Sequence, residues 1–249
     1  MADIKFAVLI DAENVPYAHL KEMMAEISKY GTVTIKRAYT DWTKPQASGW
    51  KTAILEHAIT PIQQYSYTAG KNASDSALII DSMDILYAGK VDGFCIISSD
   101  SDFTRLATRL RESAMTVIGL GEKKTPKSFV VSCDKFIYLD ILKPASVSTK
   151  TTVKAAAKSR PVQEPPVGKV DAETSKLIMS SVNDLDDGNG WVSLQQLGSL
   201  LSRNNTDFDA RNYGFSKLSQ LIKSLDRFEV EQRSEGMYLK LKRGAAEKG

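Results

Sequence analysis

Two short apolar runs, each closed by acid, limit what this chain can become. Phe6-Ala7-Val8-Leu9-Ile10 ends at Asp11, and Phe94-Cys95-Ile96-Ile97 is followed within a few residues by Asp100 and Asp102. Continuous apolar runs of this length read as strands buried on both faces, which is how strands look in parallel sheets. A βα alternation extends the pattern through the first 140 or so residues. Strands are expected over 5–10, 32–40, 61–67, 93–98, 115–120 and 136–139, and helices over 16–29, 47–58, 75–88, 102–113 and 126–132. Helices between successive strands imply an α/β domain of three layers, α/β/α, around a mostly parallel sheet.

In such sheets ligands bind at the carboxyl ends of the strands. That edge is where Asp11, Asp100 and Asp102 are delivered, and Asp75 opens the helix expected over 75–88. Clustered carboxylates raise one another's pKa unless a cation sits among them, and an oxygen-only cluster suits Mg²⁺ or Mn²⁺. A metal held by a few carboxylates, its shell completed by phosphate oxygens, is a common arrangement for phosphodiester hydrolysis. For Asp11 and Asp75 the competing reading is helix capping or a dipole contact. In Asp100-Ser101-Asp102 either Asp100 or Ser101 can cap the next helix. Asp81 lies about 600° further round the helix from Asp75, on another face, which suits a supporting role. Ser98 and Ser99 lack a His partner and read as hydrogen-bonding the acidic cluster rather than as nucleophiles. Lys71, Arg105, Lys123 and Lys124 flank the same edge as candidates for phosphate contact, with a solvated loop as the alternative for Lys123 and Lys124. Arg109 and Arg111 read as an exposed helix face.

Other chemistries find little support. The two histidines, His19 and His57, fall in amphipathic helical stretches away from the acids, so a His-dependent triad or a paired-His ribonuclease mechanism is disfavoured. Cys95 and Cys133 are too few for a disulfide framework or a zinc site and read as reduced core residues. A phosphatase of related architecture would need a nucleophilic Asp-x-Asp after the first strand, where this chain has Asp11-Ala12-Glu13. No stretch is apolar enough for a membrane span and the first strand begins almost at once, so a cytoplasmic location without membrane partners is expected.

Net charge is +3, and its distribution matters more than its size. Residues 143 to 176 carry 7 Lys and Arg against 3 Asp and Glu, whereas the segments on either side are close to balance. Proline, serine and an Ala-Lys run mark residues 143–170 as a flexible basic linker, with a reach of about 25 to 30 Å. It separates a first domain, 1–142, from a second, 171–243; residues 244–249 are expected to fray. In the second domain a helix over 172–184 precedes an Asp187-Gly188-Asn189-Gly190 turn, and Trp191-Val192 leads into a Leu-rich helix capped by Ser193. A further helix and a hairpin about Ser234-Glu235-Gly236 complete a small winged helix of α+β type. Arg203, Arg211, Lys217 and Lys223 are its candidate phosphate contacts, with ordinary surface as the alternative for each.

These residues also carry a resemblance. Leu9-Ile10-Asp11-Ala12-Glu13-Asn14, then Gly70-Lys71-Asn72-Ala73-Ser74-Asp75 with Asp81 beyond, then Ser98-Ser99-Asp100-Ser101-Asp102-Phe103 and Gly121-Glu122-Lys123-Lys124-Thr125-Pro126 together resemble the NYN domain family in its bacterial LabA-like (DUF88) branch. That resemblance covers residues 4 to 141 and implies a PIN-like nuclease fold. By motif, Asp11, Asp75, Asp100 and Asp102 become the positions that hold Mg²⁺ or Mn²⁺, and Asn14 the polar companion that orients a ligand. Trp191-Val192, Phe208-Asp209, Tyr213-Gly214-Phe215-Ser216-Lys217-Leu218 and Phe228-Glu229-Val230 resemble the OST-HTH, or LOTUS, family over residues 172 to 242. The two resemblances imply a metal-dependent endoribonuclease for single-stranded RNA, with an RNA-binding C-terminal module that also offers a surface for a protein partner. The alternative is a non-catalytic RNA-binding or regulatory adaptor using the same acidic pocket.

Overall fold

A computed structural model of the chain describes residues 3–65, 73–142 and 170–242, which form two compact units. The expected linker lies outside the described residues apart from Val170, as do residues 244–249, expected to fray, and Lys71. Among the described residues no helix is long and apolar enough to cross a membrane.

The first unit is built on β1 (Lys5–Asp11), β2 (Thr32–Thr40), β3 (Thr60–Gln63), β4 (Gly93–Ile97), β5 (Thr116–Gly121) and β6 (Lys135–Tyr138). Its helices are α1 (Leu20–Ile27), α2 (Trp50–His57), α3 (Ala73–Ala88), α4 (Thr104–Glu112) and α5 (Lys127–Ser132). All strand pairs are parallel, in the order β3-β2-β1-β4-β5-β6. The chain works outward from β1 in one direction and then, from β4, in the other. The order reverses between β1 and β4, and the carboxyl ends of strands at such a reversal are the place where doubly wound sheets bind ligands.

Strand alternation decides which layer each residue of β1 joins. Phe6, Val8 and Ile10 pack with Leu20, Met23 and Ile27 of α1 and Trp50 of α2. Ala7 and Leu9 pack on the other side with Leu78 of α3, Leu106 and Leu110 of α4 and Phe129 of α5. Each large apolar side chain buried this way contributes roughly 1.5–3 kcal/mol. Asp11 shares the parity of Ala7 and Leu9, so the polarity of the strand changes on the α3 side, facing the helix that carries Asp75.

Several boundaries differ from the sequence reading. The helix expected over 16–29 is divided: Tyr17–His19 form a 3-10 turn and α1 starts only at Leu20. Pro16 stays extended just before that turn, where its missing N–H costs nothing. The second helix likewise opens as a 3-10 turn over Pro45–Gly49. The strand expected over 61–67 is Thr60–Gln63, and residues 66–72 lie outside the described set.

In the second unit α6 (Ala172–Leu185) is capped by Asp171, which accepts from the Thr174 amide at 2.7 Å. Val192 and Ser193 stand directly before the Leu-rich helix. They form a short strand, β7, and α7 runs from Leu194 to Asn204. After α8 (Leu218–Ser224) the hairpin β8 (Phe228–Arg233) and β9 (Gly236–Leu241) closes the unit, with β7 paired antiparallel to β9. Ile178, Val182, Leu197, Leu201, Leu221, Ile222 and Leu239 make its core, with Phe208 and Phe228 buried against them. Three helices and a wing confirm the winged-helix expectation, and its aromatic residues serve mainly as packing.

Candidate metal centre

Asp75, Asp100 and Asp102 each offer a carboxylate oxygen within 4.8 Å of the other two. They arrive from two directions: Asp75 on the first turn of α3, and Asp100 and Asp102 on the turn between β4 and α4. Asp100 caps this turn, one oxygen accepting from the Asp102 amide at 2.9 Å. Capping and site membership are therefore compatible, since the second oxygen takes no part in the cap. Asp100 and Asp75 are half-buried and Asp102 is exposed.

Asp11 lies deeper, 1% exposed, and is not in the group of three. One of its oxygens accepts from the amides of Glu13 at 3.2 Å and Asn14 at 3.3 Å. The other accepts from Asn14 Nδ2 at 2.8 Å and Ser98 Oγ at 2.7 Å. The turn-capping role that the sequence left open is thus realised, and the Asn14 side chain is held against Asp11. Ser98 continues the chain by accepting from the Asp100 amide at 3.1 Å. Asp11 consequently ties β1 to the loop that holds Asp100 and Asp102.

Ser99 behaves otherwise: its hydroxyl accepts from the Glu122 amide at 2.9 Å, bracing the next loop rather than the acids. That loop comes close because residue 121 is glycine. A Cβ there would lie 2.6 Å from the Ser98 carbonyl oxygen and from Thr125 Oγ1.

Burial pushes the Asp75 carboxyl up to about 6, with the charges of Asp11, Asp100, Asp102 and Glu13 adding to it. Burial likewise raises Asp11, against the lowering effect of its hydrogen bonds. Crowded acids of this kind are relieved by a cation, and a donor set made only of carboxylates fits Mg²⁺ or Mn²⁺ better than softer metals. Without a cation the crowding has a measurable cost. The folded state holds the Asp75 proton more tightly than the unfolded chain, so stability falls as pH rises from about 4 to 6. Asp75→Asn should raise the stability of EDTA-treated protein at pH 7 by on the order of 1 kcal/mol after solvent screening, and by almost nothing at pH 4. Thermal melts of both proteins at the two pH values check this.

Glu13, which the sequence reading did not single out, adds to the acidity. It accepts from Ser74 Oγ at 2.9 Å and pairs with Lys44 at 3.6 Å. Only its place in the Asp-Ala-Glu-Asn segment hinted at this. Asp81 has the supporting role expected of it, receiving hydrogen bonds from Arg37 and the Tyr39 hydroxyl and so clamping α3 to β2.

Among the candidate cations, Arg105 is exposed and Lys124 pairs with Glu122 at 2.7 Å. Lys123 and Lys124 line a hollow of about 250 Å³ with His19, Glu122 and Asp140. Arg111 is paired with Asp134 at 2.8 Å, as an ordinary surface role requires. In the second unit Arg203, Lys217 and Lys223 are exposed, whereas Arg211 is clamped to Asp209 at 2.6 Å.

The family model of the NYN domain matches residues 5–140, and that of the OST-HTH/LOTUS domain matches residues 167–239. No curated protein matches the chain. A crystal structure of a protein of unknown function from Vibrio parahaemolyticus is 19% identical, with a TM-score of 0.46, over 54% of this chain and 91% of that one. A solution structure of an uncharacterized protein from Nitrosomonas europaea is 29% identical, with a TM-score of 0.27, over 37% of this chain and 92% of that one.

Proposed function

The chain belongs to the NYN domain family, and on that footing we propose that its first unit is a Mg²⁺- or Mn²⁺-dependent endoribonuclease whose substrate is held by the C-terminal OST-HTH/LOTUS domain. One observation carries the reading: three carboxylates from α3 and the β4–α4 turn converge within 4.8 Å, the last two just past β4, where the sheet order reverses.

Asp75, Asp100 and Asp102 would hold the cation. When bound, it supplies charge neutralisation at a phosphate and lowers the pKa of an attacking water. The residues of the chain do the rest. Asp11 fixes Asn14 and Ser98, and Ser98 fixes the amide of Asp100, so the acids keep their spacing without solvent rearrangement. Arg105, Lys123 and Lys124, with Lys71, are proposed to steer the RNA backbone toward the acids. Hydrolysis replaces the bond from phosphorus to the leaving 3′-oxygen with a bond to the water oxygen, leaving a 5′-phosphate and a 3′-hydroxyl.

Purified protein incubated with labelled single-stranded RNA or DNA should cleave RNA in Mg²⁺ or Mn²⁺ and not in EDTA. Binding of RNA without cleavage in any metal would instead identify an adaptor.

A further inference from the structure

Resting on the reading of the first unit as a ribonuclease, we propose that a hollow next to the acidic cluster receives the nucleobase adjoining the cleaved phosphate, stacked on Tyr17 and read by Gln46. The hollow encloses about 560 Å³ and is lined by Ala12, Glu13 and Val15 after β1, by Tyr17, and by Gln46 and Trp50 from the segment after β2. A volume of this size is typical of small-ligand pockets.

Its position follows from the parity of β1. The acids lie on the α3 side of the sheet, whereas the hollow opens on the side of α1 and α2, over the same carboxyl edge. Glu13 is common to both: it is bonded to Ser74, the residue before Asp75, and it lines the hollow. A nucleotide whose phosphate met the acids would have its base within reach of the hollow across that single side chain.

The lining chemistry selects a base over other occupants. Lys44 is the cation of the lining, and it is already paired with Glu13 at 3.6 Å; an anion entering there would meet the Glu13 carboxylate. A purely apolar ligand would leave the Gln46 amide without a use. A nucleobase has a face to stack and an edge to hydrogen-bond, and it suits both kinds of wall.

Tyr17 is held ready for stacking. It is 45% exposed, so one side of its ring is available. Its other side rests on Gly49, where a Cβ would lie only 2.4 Å from Cε1 and 2.6 Å from Cζ. Trp50, 2% exposed, meets the Tyr17 ring edge-on with centroids 6.1 Å apart. Trp50 in turn meets Trp42 at 6.5 Å, and the Trp42 indole donates to the Ile62 carbonyl at 2.9 Å. The exposed ring is therefore braced through the buried Trp50 and the half-buried Trp42 to β3. Gln46 is exposed, and its amide has no hydrogen bond among the described residues.

The test uses the full chain in two assays. In the first, single-stranded RNAs carrying one abasic nucleotide at successive positions are cleaved by wild type, Tyr17→Ala, Tyr17→Phe, Gln46→Ala and Gly49→Ala. Tyr17→Ala should raise KM roughly tenfold with kcat nearly unchanged, and Tyr17→Phe, which keeps the stacking face, should restore wild-type KM. Gly49→Ala should push the ring aside and repeat part of the Tyr17→Ala effect. Gln46→Ala should flatten the preference among RNAs that differ only in the base beside the cut. An abasic nucleotide at that position should harm wild type and add nothing to Tyr17→Ala.

The second assay follows tryptophan fluorescence as nucleoside 5′-monophosphates are added in EDTA. Quenching by wild type that weakens in Tyr17→Ala supports the pocket even if no RNA is cleaved, so the two readings can fail separately. An unchanged KM in Tyr17→Ala, or equal indifference to abasic nucleotides at every position, overturns the proposal. If nothing is cleaved, absent quenching, or quenching equal in wild type and Tyr17→Ala, overturns it as well.

Discussion

Asp100→Asn is expected to lower metal-dependent RNA cleavage by about 10²–10³-fold while leaving the fold intact. The reason for choosing asparagine lies in the cap. One Asp100 oxygen accepts from the Asp102 amide at 2.9 Å, and an asparagine carbonyl can accept the same bond. The substitution thus deletes one negative charge from the group of three and preserves the local turn. Asp11→Asn should behave differently. Both Asp11 oxygens accept hydrogen bonds, two of them from the side chains of Asn14 and Ser98, and an amide nitrogen would confront one of these donors with another. A loss of stability of about 1–3 kcal/mol should accompany its loss of activity, visible as a lower melting temperature that Asp100→Asn does not share. Equal cleavage by Asp100→Asn and wild type would move the catalytic centre elsewhere.

A chain ending at Leu142 is expected to keep its maximal rate but to require on the order of tenfold more RNA at low salt. Such a chain retains both layers of apolar packing around the first sheet, so it should fold. Its acids repel a polyanion, and the net charge of this region is close to zero. Capture is then left to the basic stretch after residue 142 and to the exposed Arg203, Lys217 and Lys223. Because counterion release drives such capture, the advantage of the full chain should shrink as salt rises. Cleavage measured against RNA concentration at two salt concentrations decides it. An unchanged KM would mean that the OST-HTH/LOTUS domain recruits a protein partner rather than the substrate.

Much of the sheet could be read in advance because a strand buried on both faces has no choice but to be apolar. Phe6 to Ile10 and Phe94 to Ile97 announce the centre of the sheet, and an acid after such a run has to find partners. The partners themselves were less legible. Ser98 meeting Asp11, and Ser74 meeting Glu13, depend on contacts across 87 and 61 residues, for which local spacing holds no signal. Ser99 looks equivalent to its neighbour, yet in the loop after β4 its hydroxyl meets the Glu122 amide. The pairing of Arg211 with Asp209 was equally hidden, because Asp209 lies only two residues earlier and reads as a turn residue. The division of the first helix at Leu20 and the strand at Val192–Ser193 were missed for a related reason: a 3-10 turn and a two-residue pairing are set by the packing around them, not by periodicity. The hollow at Tyr17 was invisible because it is assembled from the loops after β1 and β2.

The most direct measurement of the central claim is the chemistry of the RNA ends. Hydrolysis at Asp75, Asp100 and Asp102 predicts 5′-phosphate and 3′-hydroxyl products in Mn²⁺, no products in EDTA, and recovery when Mn²⁺ is restored. Products ending in a 2′,3′-cyclic phosphate, formed equally well in EDTA, would show attack by the ribose hydroxyl without a metal and would contradict the account.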